Sequence, residues 1–482
     1  MKSLEGTSNP EFSVAMPAAE HKELAAHLLK SKKEEDVAFA LYKPSDGARR
    51  FTALIYKIIF PEKGDRIQHG NVEITPQYFK RVCQIACSEN AGIALLHSHP
   101  SPSIGWQGMS PDDITTEQSY SPTCATLTDL PFIGLTLSSD ETWSARIWKS
   151  DKFGSRRQDA VTVRIVGKRL QVSYNDFLLP VPEFKDTFKR TLTVWGADNH
   201  AHLARLRVGI VGLGSVGSIV AEHLARMGME RVVLIDFDEV QEHNLDRLSG
   251  ATLEDIGNLK ISVAERQLRR AATARAIDVI GLPYPITEEK GYRGALDCDV
   301  LFSCVDRPWP RSVLNHIAYS HLIPVIDGGI AVRLNSITGM FEGADWQVQT
   351  VGPDRACLCC LKAFDPSHVS TERDGKLDDP SYLTGLPQDH LFKRNENIFP
   401  FSTNLASLEV MQFIEMVTSM GGTEYYGPQR YSYNHGFIRL LGEDNQCTEE
   451  CFYQAGLAQG DTLFPAPIGH DHAAAAAKLR QK

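Results

Sequence analysis

The sequence predicts an α/β protein with two folded parts, an α+β domain followed by a doubly wound parallel sheet. Its 482 residues exceed one ordinary domain. Residues 21–182 mix helix and strand patterns without a regular alternation, which is typical of an α+β domain. From about residue 203 the order becomes strand, glycine turn, helix and strand (RVGIVGLGSVGSIVAEHLARMGMERVVLIDFD), which is typical of a parallel sheet with helices on both faces.

Composition and charge exclude several classes of protein. Hydrophobic residues make up 42% of the chain and charged residues 23%, which excludes a disordered or fibrous chain. The formal net charge of −10 argues against a broad basic surface for nucleic acid. No apolar run approaches the roughly 20 residues of a membrane span, and the first residues (MKSLEGTSNPEFSV) have no apolar core. We therefore expect a cytoplasmic protein with reduced cysteines that binds neither nucleic acid nor membrane.

Local composition divides the chain into four segments. We expect a flexible N-terminus at 1–18, the α+β domain at 19–182, the doubly wound domain at 183–465 and a loose C-terminal tail at 466–482. The proline-containing stretch LLPVPEFKD marks the linker between the domains. In the first domain, TPQYFKRVCQIACSE predicts a helix that buries Cys83 and Cys87. The strands expected there are VAFALY, FTALIYKIIF, GIALLHSH, PFIGLTLS, TWSARIWK, AVTVRIVG and LQVSY.

Two histidines and an aspartate form the first candidate site. His97 and His99 end an apolar strand, and because residues i and i+2 of a strand point to the same side, both imidazoles can face one metal ion. Ser110 begins the run Ser-Pro-Asp-Asp, which predicts a helix start with Asp113 in its first turn. With Asp113 as third ligand, zinc would keep one open position for water, as a hydrolytic site requires. The alternative is a plain capping box beside two surface histidines.

These residues together match a known motif. The run His-Ser-His-Pro followed by Ser-x-x-Asp resembles the JAMM motif of the JAB/MPN metallopeptidases, and the resemblance covers roughly residues 20–150. It implies a JAB/MPN fold for the first domain and a catalytic zinc on His97, His99 and Asp113. It also implies hydrolysis of the peptide or isopeptide bonds that join ubiquitin-like proteins to other chains.

The same resemblance assigns roles to two further side chains. A glutamate just before the first strand acts as general base in that family, and Glu35 stands there, with Glu34 as the alternative. Ser110 would hydrogen-bond the developing oxyanion. Ten residues separate His99 from Ser110, a longer loop than the family usually has, and we expect it to alter substrate entry.

The second candidate site is a glycine turn. Gly212, Gly214 and Gly217 follow the strand RVGIV and open a helix. Glycines let a backbone approach phosphates, and a helix N-terminus favours anions. Asp236, at the end of the next strand, is placed to accept hydrogen bonds from ribose hydroxyls. These features alone would indicate NAD(P).

The polar residues that follow change this interpretation. They are Asn244, Arg247, Lys260 and Asp306, a set that hydride transfer does not need. In nucleotidyl transfer, Arg247 and Lys260 can neutralise phosphate charge and Asp306 can hold Mg²⁺. Each one taken singly is also explained as a solvated surface residue, but their order and spacing together favour nucleotidyl transfer.

This polar set closely resembles that of the ThiF/MoeB/HesA adenylyltransferases, over about residues 186–455. The resemblance implies the Rossmann-like fold shared with ubiquitin-activating enzymes. It implies attack of the C-terminal glycine carboxylate of a ubiquitin-like protein on the α-phosphate of ATP, which yields an acyl adenylate and pyrophosphate. The implied ligand contacts are ribose on Asp236, triphosphate on Asn244, Arg247 and Lys260, and Mg²⁺ on Asp306.

Two single positions complete this comparison. Many members take an arginine from the partner copy of a dimer, and Arg190 stands at about the right distance before the first strand, which implies a homodimer through the adenylation domain. The family usually has NLxRQ, whereas Leu248 replaces the glutamine here.

Cysteines cluster near the end of the second domain. Cys357-x-x-Cys360 and Cys447-x-x-x-Cys451 resemble the paired knuckles of the structural tetrathiolate zinc site that many of these adenylyltransferases carry. Cys359 is an alternative ligand in place of either neighbour, or a spare thiol.

A nucleophilic cysteine is absent from the place where ubiquitin-activating relatives often have one. The segment 361–400 contains no cysteine. Ser402 and Thr403 stand at the entrance of the next helix, and we interpret them as capping residues rather than as oxyester nucleophiles. Cys359, or a thiol on another protein, is left as the acceptor of the activated carboxylate.

The two resemblances together predict a bifunctional enzyme similar to the fusion proteins of bacterial ubiquitin-like conjugation operons. The first domain would trim or deconjugate a ubiquitin-like protein, and the second would activate its C-terminal glycine. Such operons imply a ubiquitin-conjugating-type enzyme as a further partner. One alternative is sulfur-carrier activation, in which the adenylate becomes a thiocarboxylate for cofactor or metabolite synthesis. The other is a non-catalytic scaffold that binds a ubiquitin-like partner.

Overall fold

The chain divides into two structural units. The computed structural model describes residues 10–31, 34–69, 71–99, 102–183, 185–335, 337–378, 384, 396–422, 427–441 and 446–463. Unit 1 comprises Met1–Val181, Ser320–Leu322 and Gly456–Leu463; unit 2 comprises Pro182–Tyr319, Ile323–Ala455 and Phe464–Lys482. Within the described ranges, no helix combines the length and apolar character needed to span a membrane. The expected tail at 466–482 lies outside the described residues.

Unit 1 contains a mixed sheet with three helices. The strands are β1 (Glu11–Pro17), β2 (Val37–Asp46), β3 (Arg50–Ile59), β4 (Arg66–His69), β5 (Asn71–Ile74), β6 (Gly92–Ser98), β7 (Phe132–Leu137), β8 (Trp143–Asp151), β9 (Gly154–Asp159), β10 (Thr162–Val166) and β11 (Leu170–Tyr174). The helices are α1 (Ala18–Leu28), α2 (Pro76–Glu89) and α3 (Pro111–Thr128). Nine strands form the main sheet in the order β11-β10-β1-β3-β2-β6-β7-β8-β9, and β4 pairs with β5.

Alternating side chains of the main sheet supply two hydrophobic cores, one on each face. In β2, Ala38 and Tyr42 join a core that contains Leu24 of α1. Phe39, from the same strand, joins a second core that contains Tyr78 of α2. The expected strands between residues 37 and 174 are confirmed. Burial on both faces explains why strands such as β6 and β7 are apolar at nearly every position.

Three expectations for this unit are wrong. Residues 11–17 are not flexible but form β1, which pairs in parallel with both β3 and β10. Cys83 is buried as expected, but Cys87 is exposed, where its thiol donates to the carbonyl of Leu127. The second domain was expected to run to residue 465, yet Gly456–Leu463 belongs to unit 1, where the Asp461 carboxylate accepts from the Asp46 N–H at 2.6 Å.

Unit 2 is the doubly wound sheet. Its strands are β12 (Arg207–Val211), β13 (Arg231–Ile235), β14 (Asp278–Leu282), β15 (Val300–Ser303), β16 (Val325–Leu334), β17 (Phe341–Val351), β18 (Gln429–Ser432) and β19 (Phe437–Leu440). Its helices are α4 (Lys189–Arg205), α5 (Gly217–Arg226), α6 (Lys260–Ala271), α7 (Glu289–Ala295), α8 (Pro308–Ser320), α9 (Pro366–Arg373), α10 (Phe399–Thr418) and α11 (Phe452–Ala455).

The strand order of unit 2 fixes where a ligand can bind. The order is β14-β13-β12-β15-β16-β17-β18-β19, with the first five parallel and the last three antiparallel. Chain order therefore reverses between β12 and β15. Open α/β sheets bind ligands at the carboxyl ends of the strands that flank such a reversal. The predicted Rossmann-like fold is confirmed, and the glycine turn lies at this point because it directly follows β12.

Candidate functional sites

The two histidines and the aspartate of unit 1 meet at one point. His97 is the penultimate residue of β6 and His99 follows the strand, with 5.2 Å between the ring centroids. The Asp113 carboxylate lies 3.5 Å from Nε2 of His97 and 3.7 Å from Nε2 of His99. One ligand atom from each residue lies within 4.8 Å of the others, a spacing that could hold a metal ion.

The capping box and this cluster exist together. Ser110 is the N-cap of α3, where its Oγ accepts from the Asp113 N–H at 3.1 Å and its own N–H donates to Asp113 Oδ2 at 2.9 Å. The two interpretations of these residues are therefore compatible, since a carboxylate offers two oxygens with several lone pairs. The Ser110 side chain is exposed.

The ionisation states of this cluster suit a cation. Burial, with the nearby Arg146 guanidinium, lowers the pKa of His97 to about 3, so its imidazole is neutral at pH 7. Burial opposes ionisation of Asp113, but hydrogen bonds from His99 and Ser110 and the proximity of His97 hold the pKa of its carboxyl well below the usual range. Neutral imidazole and carboxylate are the forms that bind metals.

Glu35 lies within electrostatic range of the cluster. Burial raises the pKa of Glu35, the Asp113 carboxylate raises it further and His99 opposes the rise. Glu34 is exposed, and its N–H donates to Ser31 Oγ. Of the two glutamates, Glu35 is the one with charge interactions to the cluster.

A buried ion pair stands behind His97. Arg146 and Glu117, both nearly inaccessible to solvent, form a two-point hydrogen-bonded pair, and Trp148 Nε1 donates to the same carboxylate at 2.7 Å. Arg146 Nη1 also donates to Thr136 Oγ1 at 2.6 Å, and that oxygen lies 3.3 Å from His97 Nε2. These residues were not predicted; the signal available was a charged residue inside the apolar strand TWSARIWK.

In unit 2, two glycines of the turn are required by the fold and one is not. A Cβ on Gly212 would lie 2.6 Å from the Cys304 carbonyl oxygen, and φ at Gly212 is +87°. A Cβ on Gly217 would lie 1.9 Å from the Gly212 carbonyl oxygen. At Gly214 a Cβ would have no neighbour within 4 Å. The protein itself gives no reason for a glycine at 214, whereas a phosphate in contact with the backbone would give one.

Two carboxylates and a lysine lie beside this turn. Asp236 accepts from the Leu213 N–H at 2.6 Å and from the Asp238 N–H at 2.7 Å. Burial raises the pKa of Asp236 to about 6; Asp238 adds to the rise and Lys260 opposes it. Lys260, the first residue of α6, pairs with Asp238 at 2.8 Å. Asp238 was not among the predicted site residues, although it stands two positions after Asp236.

Asn244 and Arg247 lie in the long connection between β13 and α6. The side-chain oxygen Oδ1 of Asn244 accepts from the Gln241 N–H at 3.0 Å, and Arg247 Nη1 donates to the His243 carbonyl at 2.7 Å. Leu248 is buried in a small cluster with Val240 and Val263, which explains an apolar residue at that position.

Asp306 and Arg190 occupy different places in unit 2. Asp306 is exposed and lies three residues after β15, at the edge of the sheet where Gly212 contacts Cys304. Arg190 is exposed in the first turn of α4, a helix that is interrupted at Gly196 (φ +80°). The structure therefore places Asp306 close in sequence to the strand end that carries the glycine turn.

Four cysteines of unit 2 converge. Sulfur atoms of Cys357, Cys360, Cys447 and Cys451 all lie within 4.8 Å of one another, and Cys359 is not in this group. The sulfurs of Cys357 and Cys451 are 3.7 Å apart, close to the roughly 3.8 Å edge of a tetrahedron with Zn–S bonds of about 2.3 Å. The Cys357 N–H donates to the sulfur of Cys447 at 3.2 Å, as backbone groups do to thiolates.

The hydroxyls at the start of α10 do not cap it. The N-cap is Ile398, without a side-chain cap. Ser402 is buried and accepts from Asn397 Nδ2 at 2.9 Å, and Thr403 donates to the Phe399 carbonyl inside the helix. The capping interpretation is wrong because both residues lie within the helix. Asn397 also donates to Ser215 of the glycine turn at 3.1 Å.

A comparison with known families identifies the second half of the chain. The model of the ThiF family matches residues 188–439, which include the whole glycine-turn site. The chain belongs to the ThiF family. The match begins after the histidine cluster, so it does not bear on the metal site of unit 1.

Several curated proteins of other organisms are similar to this ThiF-family chain. The tRNA threonylcarbamoyladenosine dehydratase 2 of Saccharomyces cerevisiae is 32% identical over 143 residues, 30% of this chain and 32% of the relative. Ubiquitin-like modifier-activating enzyme 5 of Drosophila willistoni is 28% identical over 184 residues, which cover 36% of this chain and 42% of the relative. The sulfur carrier protein ThiS adenylyltransferase of Bacillus subtilis is 30% identical over 135 residues, which cover 28% of this chain and 40% of the relative. The matches span less than half of each relative.

Solved structures are also similar to this chain. A crystal structure of E. coli MccB with ATP has 17% sequence identity and a TM-score of 0.42, covering 56% of this chain and 74% of that one.

Proposed function

We propose that unit 2 adenylates the C-terminal glycine of a ubiquitin-like or sulfur-carrier protein. The observation that carries this proposal is a ThiF-family sequence with a glycine turn at the sheet reversal, in which Gly214 has no steric reason to be glycine. Two of the similar proteins are named as enzymes that activate such carriers.

The side chains around the turn suit this chemistry. Backbone N–H groups at the start of α5 would donate hydrogen bonds to phosphate oxygens. Lys260 would exchange its contact with Asp238 for the triphosphate, and Arg247 would add a second positive charge. Asp236 would hold the ribose, Asn244 would contact the triphosphate and Asp306 would hold Mg²⁺, which neutralises phosphate charge when bound. The carrier's carboxylate oxygen attacks the α-phosphorus, and pyrophosphate leaves with the electrons of the broken P–O bond.

The rest of unit 2 supports this proposal in outline. The four converging cysteines would bind a structural zinc. Arg190, exposed at the start of α4, would reach the site of a second copy in a homodimer. The absence of a cysteine in 361–400 favours transfer of the adenylate to a thiol outside that segment, on a conjugating-type enzyme or a sulfur donor.

For unit 1 we propose a zinc-dependent peptidase that acts on carrier proteins or their conjugates. The carrying observation is the convergence of His97, His99 and Asp113, with Glu35 beside them. The donor set fits zinc, because two imidazoles and one carboxylate leave a fourth position open. Zinc, when bound, polarises the scissile carbonyl and acidifies water. Glu35 would take the proton from that water and deliver it to the leaving amine, and the O–H of Ser110 would donate to the oxyanion.

One experiment tests each half of this proposal. Pyrophosphate exchange into ATP is measured with the full chain and a panel of small proteins that end in glycine. We expect exchange with at least one carrier and its loss in Asp306→Ala. Exchange that is unchanged by Asp306→Ala overturns the magnesium-binding role of Asp306, and a lack of exchange with every carrier overturns the adenylation proposal. For unit 1, a carrier with an extended tail is the substrate, and cleavage that persists in His99→Ala overturns the peptidase proposal.

The fate of the adenylate separates the two carrier classes. Incubation with ATP and carrier, followed by mass spectrometry, shows a thiocarboxylate on the carrier when a sulfur donor is supplied, or an amide or thioester link to another protein when it serves conjugation. The similarity to the ThiS adenylyltransferase of Bacillus subtilis is the observation that keeps sulfur transfer as the second candidate.

A further inference from the structure

The loop between His99 and Ser110 contacts the histidine cluster. Gln107 lies in it, and its Oε1 is 3.4 Å from Nδ1 of His99. Both hydrogens of the Gln107 amide are already used, because Nε2 donates to the carbonyls of Ile104 at 2.7 Å and Gly105 at 2.9 Å. The amide cannot rotate without losing both bonds, so its oxygen faces the histidine as an acceptor.

The loop that carries Gln107 is itself fixed. The Gly105 N–H donates to the Asp140 carboxylate at 3.0 Å, and Ser103 Oγ donates to the His99 carbonyl at 2.6 Å. The Ser103 carbonyl accepts from the Ser139 N–H at 3.0 Å. Three separate bonds therefore tie the loop to the end of β6 and to the turn between β7 and β8.

We propose that Gln107 is a positioning residue, which holds His99 as the Nδ1–H tautomer so that its Nε2 lone pair points to the metal. This inference rests on the proposed zinc site. An acceptor at Nδ1 requires the proton on that nitrogen, and Nε2 is the nitrogen that faces Asp113. Hydrogen-bond partners behind metal-binding histidines typically change metal affinity 10- to 100-fold. The extra length of the loop thus supplies an orienting group.

Zinc competition in the full chain tests the proposal. A chelating dye competes with the protein for zinc and so measures its affinity. The zinc of unit 1 is identified as the one that is lost in His97→Ala. We expect Gln107→Leu to bind that zinc about 10- to 100-fold more weakly than the wild type does. Gln118→Leu, the same change at an exposed position of α3, is the matched control and should have no effect.

The outcomes are distinct. If the wild type holds zinc on His97 and Gln107→Leu holds it equally well, the positioning role is overturned and the peptidase proposal stands. If no zinc depends on His97, both fail. A measurement that needs no variant at 107 is ¹⁵N NMR of the imidazoles in the zinc-loaded protein, with His99 assigned through His99→Gln. Coordination of His99 through Nε2, with the proton on Nδ1, supports the proposal, and coordination through Nδ1 overturns it.

Discussion

The two clusters of metal-binding residues in this protein are built in opposite ways. In unit 2, four cysteines converge, and their own chain supplies all the ligands that a tetrahedral ion takes. In unit 1, three residues converge. The side-chain oxygen of Gln107 lies 3.4 Å from Nδ1 of His99, and Oγ1 of Thr136 lies 3.3 Å from Nε2 of His97. A zinc ion with four thiolate ligands has no open coordination position and contributes to the stability of the fold. A site with three protein ligands depends on hydrogen-bond partners of those ligands to keep them correctly oriented.

The largest effect is expected at the closed cluster. Cys451→Ser should remove one zinc and unfold unit 2, because structural zinc binds with an apparent free energy of about 10–16 kcal/mol. Metal analysis and thermal unfolding measure both effects. Cys359→Ser is the matched control, since that sulfur lies outside the group of four. If Cys359→Ser loses the same zinc, the ligand set is different.

The open cluster should respond in rate rather than in stability. Glu35→Gln should keep its zinc and its melting temperature, and the rate of tail cleavage should fall about 10²- to 10⁴-fold, as is usual when a general base is removed. Glu34→Gln should cleave normally. Equal losses in the two variants would show that charge at this position matters, and not a specific proton acceptor. Pyrophosphate exchange by unit 2 serves as an internal control.

The ion pair behind the open cluster gives the next prediction. Arg146→Met leaves the Glu117 carboxylate buried without its cation, which should cost about 3–5 kcal/mol of unfolding free energy in unit 1. Replacing Glu117 by leucine as well should recover most of that loss. Denaturant unfolding of the single and double variants measures this. A double variant as unstable as the single one would mean that packing, and not the unpaired charge, determines the cost.

The glycine turn should give the smallest effect, and it separates fold from binding. Gly214→Ala meets no atom of the chain, so the melting temperature should not change, while the KM for ATP should rise on the order of tenfold, or about 1.4 kcal/mol. Gly217→Ala meets the Gly212 carbonyl and should lower the melting temperature. An unchanged KM in Gly214→Ala would contradict a phosphate at this turn.

The sequence predicted the features whose residues lie close together along the chain, and it missed those that depend on contacts between distant elements. The parallel sheet and the glycine turn follow from spacing within 40 residues, and His97, His99 and Asp113 also stand close together. The support behind His97 comes from β7, β8 and α3, and the sequence does not indicate that these elements meet. Strand β1 was missed because its partners are 39 and 149 residues further along, as in Ser13 with Thr52 and Thr162. Gln107 sits in a loop with no periodicity.

The return of Gly456–Leu463 to unit 1 affects how the protein is made. A chain leaves the ribosome from its N-terminus, and domains generally fold as they emerge. Here the Asp46 N–H has to wait for Asp461, 415 residues later, before it can make the bond of the finished protein. Unit 1 is therefore the first to be synthesised and the last to be completed, and a chain that stops early leaves the end of strand β2 without the segment that contacts it.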